Sequence, residues 1–234
     1  YLTPLAGSLF VMEKYGGNKM FKPLKLADAQ ELLLTPLDDP GFIVEDLIPG
    51  GVTVIAGDEK SGKSWMMLLL ATCIATGQDF LGHPVKQGAV LYLSLEDTYV
   101  RLQRRLFNLT NEVGYGRIML SIQSGTLDDG LMEQLEHALE KHHDINVIII
   151  DTLQLIRGND KEVSYANDYA DVTILKEFCR KHKLSILVVH HTRKQGDAHR
   201  IFNRINGSKG LNGAVDTMLL LDREKEHSTS GTLN

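Results

Sequence analysis

The chain has 234 residues, of which 43% are hydrophobic and 24% charged, a balance that excludes a disordered chain, a collagen-like repeat and a disulfide scaffold. Its length suits one large domain or one domain with an appendage. The net charge of −5 excludes a surface coated in basic residues for non-specific nucleic-acid binding, but leaves room for a local basic patch.

Residues 1–40 read as an irregular arm or linker broken by Gly16–Gly17, Pro23, Pro36 and Pro40, with LADAQELLL (26–34) as one short helix. From Pro49 the pattern changes. Gly51–Gly57 is an apolar strand, and Ser64 to about Thr76 is apolar on nearly all sides, as in a buried helix. Ala89–Leu95 is a second strand, followed by a polar helix around Thr98–Leu109. Arg117–Ile122 is a third strand, and Leu127, Leu131, Leu135 and Leu139 fall at helical spacing. Asn146–Ile150 is a fourth strand, with Asp151 at its end. Tyr165, Tyr169, Val172, Leu175 and Phe178 mark an amphipathic helix. Leu184–Val189 is a fifth strand running into His190-His191, and Ala214–Leu221 holds a sixth. Continuous β-branched strands alternating with helices predict an α/β fold with a buried, mainly parallel sheet.

Cys73 and Cys179 lie far apart, in segments that read as helices. They are expected as buried reduced thiols in a reducing, cytoplasmic compartment. The longest strongly apolar stretch, Trp65 to about Ala75, is well short of the ~18 to 20 residues of a membrane span. YLTPLAGSLF lacks the basic start of a signal peptide. The chain starts at Tyr1 and stops in the polar string 223–234, which reads as truncated.

Gly57-Asp-Glu-Lys-Ser-Gly62-Lys63-Ser64 is the G-x4-G-K-S pattern of a phosphate-binding P-loop, placed between an apolar strand and an apolar helix. Its glycines let backbone N–H groups converge on phosphate oxygens, and the helix start adds its positive end. Lys63 is expected to reach the β- and γ-phosphates of ATP, and Ser64 to ligate Mg²⁺. The nucleotide-contacting candidates are Gly57, Lys60, Ser61, Gly62, Lys63, Ser64 and Trp65. Asp151, leaving a buried strand at the sheet edge, is expected on the magnesium side; the bland reading is a cap of the next turn. Glu96, ending the second strand, suits a base that orients and deprotonates water, which favours hydrolysis over phosphate transfer to a small acceptor. Asp97 beside it equally suits an acid at a helix N-terminus. Of His190 and His191, which point to opposite faces of a strand, one is expected to face the γ-phosphate.

Together these residues resemble the RecA-like P-loop ATPases. More closely they resemble the hexameric replicative helicases typified by plasmid RepA and the broader AAA-domain relatives of phages and mobile elements. The matching text is PGGVTVIAGDEKSGKS, GAVLYLSLED, IIIDTLQ, LVVHHTRK and GSKGLNGAVDTMLLL, within about Gly41–Asp222. The resemblance implies phosphate and magnesium roles for Lys63 and Ser64, a catalytic Glu96, a magnesium-side Asp151 and a γ-phosphate sensor at His191. It also sets Arg101 or Arg104 beside the adenine. Lys209 falls where the helicases carry a finger arginine that acts on the neighbouring subunit's ATP. Lysine lacks the bidentate fork, and Arg204 is a rival. The segment 190–210 carries Arg193, Lys194, Arg200, Arg204 and Lys209 against Asp197, opposite in sign to the whole chain. In RecA-like rings such loops face single-stranded nucleic acid.

The expected organisation is an arm (1–40), a RecA-like ATPase core (41–222) and a polar tail (223–234). The expected function is Mg-dependent ATP hydrolysis by a ring-forming homo-oligomer, a hexamer by resemblance, moving on or unwinding DNA. The alternative is an ATP-dependent switch or assembly module acting on protein partners.

Overall fold

A computed structural model describes residues 13–15, 19–21, 24, 26–36, 41–110, 117–157, 165–192, 209–222 and 232–233. The chain divides into two units, 1–39 and 40–234. In the first, β1 (Glu13–Tyr15) pairs antiparallel with β2 (Lys19–Phe21). Helix α1 (Ala29–Leu34) follows, capped by Asp28, whose carboxylate accepts from the N–H groups of Gln30 at 2.9 Å and Glu31 at 3.1 Å. The expected helix is thus present but starts late, where the cap fixes it. The hairpin was not anticipated in a segment read as irregular.

The second unit opens with a hairpin of β3 (Phe42–Val44) and β4 (Ile48–Pro49). There follow β5 (Val52–Gly57), α2 (Lys63–Thr76), β6 (Ala89–Ser94), α3 (Tyr99–Leu109), β7 (Ile118–Ser121), α4 (Leu131–Lys141) and β8 (Ile145–Asp151). Then come α5 (Leu153–Ile156), α6 (Tyr165–His182), β9 (Ser185–His191), α7 (Lys209–Ala214), β10 (Thr217–Asp222) and β11 (Thr232–Leu233). The sheet runs β11-β10-β5-β9-β8-β6-β7. β11 is antiparallel to β10, and all other pairings are parallel. Strands β5 and β6 are buried along their whole length, as their unbroken apolar runs require.

Both faces are covered. On one, Ile55, Val90, Ile149, Leu187 and Val189 pack with Met67, Leu68, Leu70 and Ile74 of α2, and Leu106 and Leu109 of α3 lie against them. On the other, Val54, Leu93, Ile148, Ile150 and Val188 meet Leu131 and Leu135 of α4, Leu153 of α5, Leu175 and Phe178 of α6 and Leu211 of α7. The helical reading through Leu127 needs correction. Leu127 is buried, but in a tight loop where Thr126 and Asp129 exchange backbone hydrogen bonds at 2.9 and 3.0 Å. Its own N–H donates to Ile156 O at 2.7 Å, so the leucine spacing overshoots the helix by one turn. The sixth strand starts at Thr217, because Ala214 still belongs to α7. Cys73 and Cys179 are both free and buried. Among the described residues no helix is long and apolar enough to cross a membrane.

Candidate active site

Parallel strands bring their C-terminal ends to one edge, and the sheet order sets β5, β9, β8 and β6 side by side there. Register aligns Gly57 with His191 and Ser94 with Asp151. The candidate residues are thus gathered by topology from four separate parts of the sequence, in the crevice where open α/β sheets bind ligands.

The loop between β5 and α2 is built for close approach. Gly62 caps α2 at φ 103°, a backbone that side chains rarely adopt, and a Cβ there would meet nothing within 4 Å, so open space lies in front of it. Gly57 is packed instead: a Cβ there would fall 2.7 Å from Leu221 O and 3.0 Å from Ser61 Oγ. Lys63, the first residue of α2, is buried and folds over its own loop. Its Nζ donates to Gly57 O at 2.9 Å, Asp58 O at 2.6 Å and Ser61 Oγ at 3.3 Å. Burial pulls the Lys63 ammonium below its ordinary pKa, while Asp151, Asp58, Glu96 and Glu59 oppose the shift.

Asp151 ends β8 and is buried. Tyr92, fully buried in β6, donates its hydroxyl to Asp151 Oδ2 at 3.1 Å, and the Ser64 hydroxyl lies near enough to this carboxyl to lower its pKa. Burial pushes the Asp151 carboxyl up, and those two hydroxyls pull it back down. Ser64 and Asp151 therefore meet, and their hard oxygen donors beside a phosphate-type loop fit a magnesium ion bound with nucleotide. Glu96 follows β6 and is more open, its side chain 52% exposed. Thr152 Oγ1 donates to its Oε1 at 3.4 Å, and His191 Nε2 lies 3.6 Å from the same oxygen. His190 is buried and His191 is partly exposed, as neighbours on a strand should differ. Thr192, just past β9, donates its hydroxyl to Asp58 Oδ1, tying the histidine strand to the loop.

Lys63, Ser64, Asp151, Glu96 and His191 therefore come together. Lys60, at φ 60°, is exposed on the outer turn of the loop. Trp65 is exposed and lies under Arg105, whose Cζ is 5.4 Å from the ring centroid. Arg101 pairs with Asp97 at 3.3 Å, and Arg104 is exposed on α3. Lys209 opens α7, but its side chain lies outside the described residues, as do Arg193, Lys194, Arg200 and Arg204. Sequence reasoning missed Tyr92, Thr152, Thr192 and Arg105. Tyr92 carried a signal: it is the one aromatic in the buried strand AVLYLS, and a buried tyrosine hydroxyl needs a partner.

Residues 20–197 match the family described as AAA domain. The DNA repair protein RadA of Halalkalibacterium halodurans is 28% identical over 186 residues, covering 78% of this chain and 35% of that protein. RadA of Aquifex aeolicus is 26% identical over 186 residues, covering 76% of this chain and 35% of that protein. The chain thus spans about a third of the length of these relatives. Among solved structures, the ATPase domain of G40P superposes with a TM-score of 0.57 at 16% identity, covering 77% of this chain and 73% of that one. The fold is therefore that of the RecA-like P-loop NTPases, and the chain is an ATPase domain belonging to the AAA domain family.

Proposed function

We propose that this domain hydrolyses ATP with magnesium, using Glu96 as the general base, and that it couples turnover to movement on DNA as part of a ring-shaped homo-oligomer. The observation that carries the reading is the convergence of the Lys63 ammonium, the Ser64–Asp151 pair and the half-open Glu96 carboxylate at one sheet edge. Magnesium, when bound, would be held on the side of Ser64 and Asp151 and would neutralise phosphate charge. Lys63 exchanges its loop carbonyl partners for β- and γ-phosphate oxygens. Glu96 takes the proton of the attacking water, and its exposure leaves room for that water. His191, on the same side of Glu96 as Thr152, meets the γ-phosphate.

Work on DNA is supported by the cationic composition of segment 190–210 and by the DNA repair naming of the relatives. Lys209 acting in trans, with Arg204 as rival, Arg101 or Arg104 beside the base, and the 1–40 arm, 41–222 core and 223–234 tail all belong to the same proposal. The net charge of −5 and the lysine at position 209 leave room for a second reading, a nucleotide-driven switch acting on protein partners. Turnover measured with and without single-stranded DNA separates them: strong stimulation supports the motor, and none selects the switch.

A further inference from the structure

We infer that Asp97, Arg105 and Trp65 form a clamp that positions Glu96 over the phosphate loop, so that Asp97 and Arg105 are positioning residues for hydrolysis. The inference rests on the general-base reading of Glu96. That carboxylate is held loosely through its own atoms: one contact at 3.4 Å to Thr152 and one at 3.6 Å to His191, both too long to fix a rotamer. Its direction must then come from the turn that carries it. The next residue, Asp97, is the opposite in character. Its side chain is only 5% exposed. Oδ1 accepts from Thr98 N at 3.2 Å and faces Arg101 Nη1 at 3.3 Å, and Oδ2 pairs with Arg105 Nη1 at 2.5 Å.

Arg105 is the link to the other half of the site. Its side chain is 17% exposed, with Nη1 on Asp97 and Cζ over the Trp65 ring at 5.4 Å from the centroid. Trp65 follows Ser64 in the first turn of α2, the helix that begins with Lys63. A chain of contacts therefore runs from the Glu96 turn, through Asp97 and Arg105, to the helix that grips the phosphates. Helix capping does not account for it. Thr98 already caps α3, accepting from Arg101 N at 3.3 Å, and nothing in that role calls for a guanidinium eight residues further on. Nor is this a surface ion pair of small effect, because Asp97 is nearly enclosed and Arg105 is covered by an aromatic face. Arginine suits the task because its planar fork can pair with a carboxylate and meet a ring at once, whereas lysine offers one point charge to share between them.

The consequence falls on rate rather than binding. Asp97 bonds Thr98, Arg101 and Arg105, none of them in the cradle of Gly57–Ser64, whereas misplacing a reacting group by an ångström costs about a hundredfold. Arg105→Ala should lower kcat at least about tenfold while the KM for ATP stays within about twofold. Asp97→Asn should act in the same direction. Arg105→Lys, which keeps the charge and loses the planar fork, should fall between. Trp65 is the chain's single tryptophan, so its fluorescence reads the clamp directly. Arg105→Ala should raise its quenching by acrylamide. Arg117→Ala, which breaks an exposed 3.9 Å pair with Asp144 outside the site, should change neither signal. Unchanged kcat in Arg105→Ala overturns the inference. So does a parallel loss of kcat and ATP affinity in both Arg105→Ala and Arg105→Lys, which would mark a merely structural contact. Glu96→Gln runs beside them: if it is inactive while Arg105→Ala turns over normally, the clamp alone fails, and if Glu96→Gln retains full turnover, the general-base reading fails and takes the clamp with it.

Discussion

Replacing Tyr92 by Phe removes one oxygen atom from the middle of the molecule. Tyr92 is fully buried, its ring packs in the core under α2, and its hydroxyl donates to Asp151 Oδ2 at 3.1 Å. Phenylalanine keeps the ring, so no cavity opens and the change removes only the hydroxyl's bonds, the one to Asp151 and a longer one to Ser64 O at 3.4 Å. A bond to an ionised, buried acceptor is worth about 1.5–3 kcal/mol. The expected loss of stability near neutral pH is about 2 kcal/mol, a central value in that range. With a urea dependence of about 2 kcal/mol per molar, ordinary for a chain this size, the unfolding midpoint should fall by about 1 M.

The loss should also depend on pH. Burial already raises the folded-state pKa of Asp151 above its ordinary value of 3.8, and removing a donor raises it further. A carboxyl raised on folding costs stability only where it is ionised. The penalty is absent below the unfolded value of 3.8 and grows as pH rises through the folded value. The gap between wild type and Tyr92→Phe should therefore be smallest near pH 4 and full near neutrality. Urea unfolding followed by circular dichroism at both pH values measures it. An unchanged midpoint near neutrality, or the same shift at both, would refute the reasoning.

Arg157 is enclosed with Asp168 at 2.6 Å and Asp171 at 2.8 Å, and all three are nearly inaccessible. Arg157→Ala takes away the guanidinium that two buried carboxylates share, and should destabilise the chain by about 3–5 kcal/mol in thermal or urea unfolding. Cys73 and Cys179 should resist a thiol reagent in the folded chain and react fully after denaturation, because burial pushes both thiols up, Cys179 to about 12. Rapid labelling of either in the native chain would contradict their placement.

The strands of the sheet were legible because a parallel strand buried on both faces must be apolar throughout, and Val147–Ile150 or Ile186–Val189 can be little else. The phosphate loop was legible because its chemistry is confined to consecutive residues. Leu127 misled because burial by a loop and burial by a helix put the same residue type at the same spacing. The hairpins β1–β2 and β3–β4 carry too few residues for a period to show. The remaining site residues act across strands. Tyr92 reaches Asp151 over 59 positions, Thr152 reaches Glu96 over 56, and Thr192 reaches Asp58 over 134. Only the strand order makes them neighbours. Arg105 was hidden differently: three arginines lie on α3, and nothing in their spacing singles out the one that covers Trp65.

The central claim is that Glu96 performs the proton chemistry at a nucleotide site formed by Lys63, Ser64 and Asp151. Glu96→Gln keeps the size of the side chain and removes its basicity. The direct test is the rate of phosphate release from ATP by this variant, beside its affinity for ATP with magnesium. The account predicts turnover lowered at least about a hundredfold, with affinity kept within a few fold of wild type. Turnover at the wild-type rate in Glu96→Gln would contradict it.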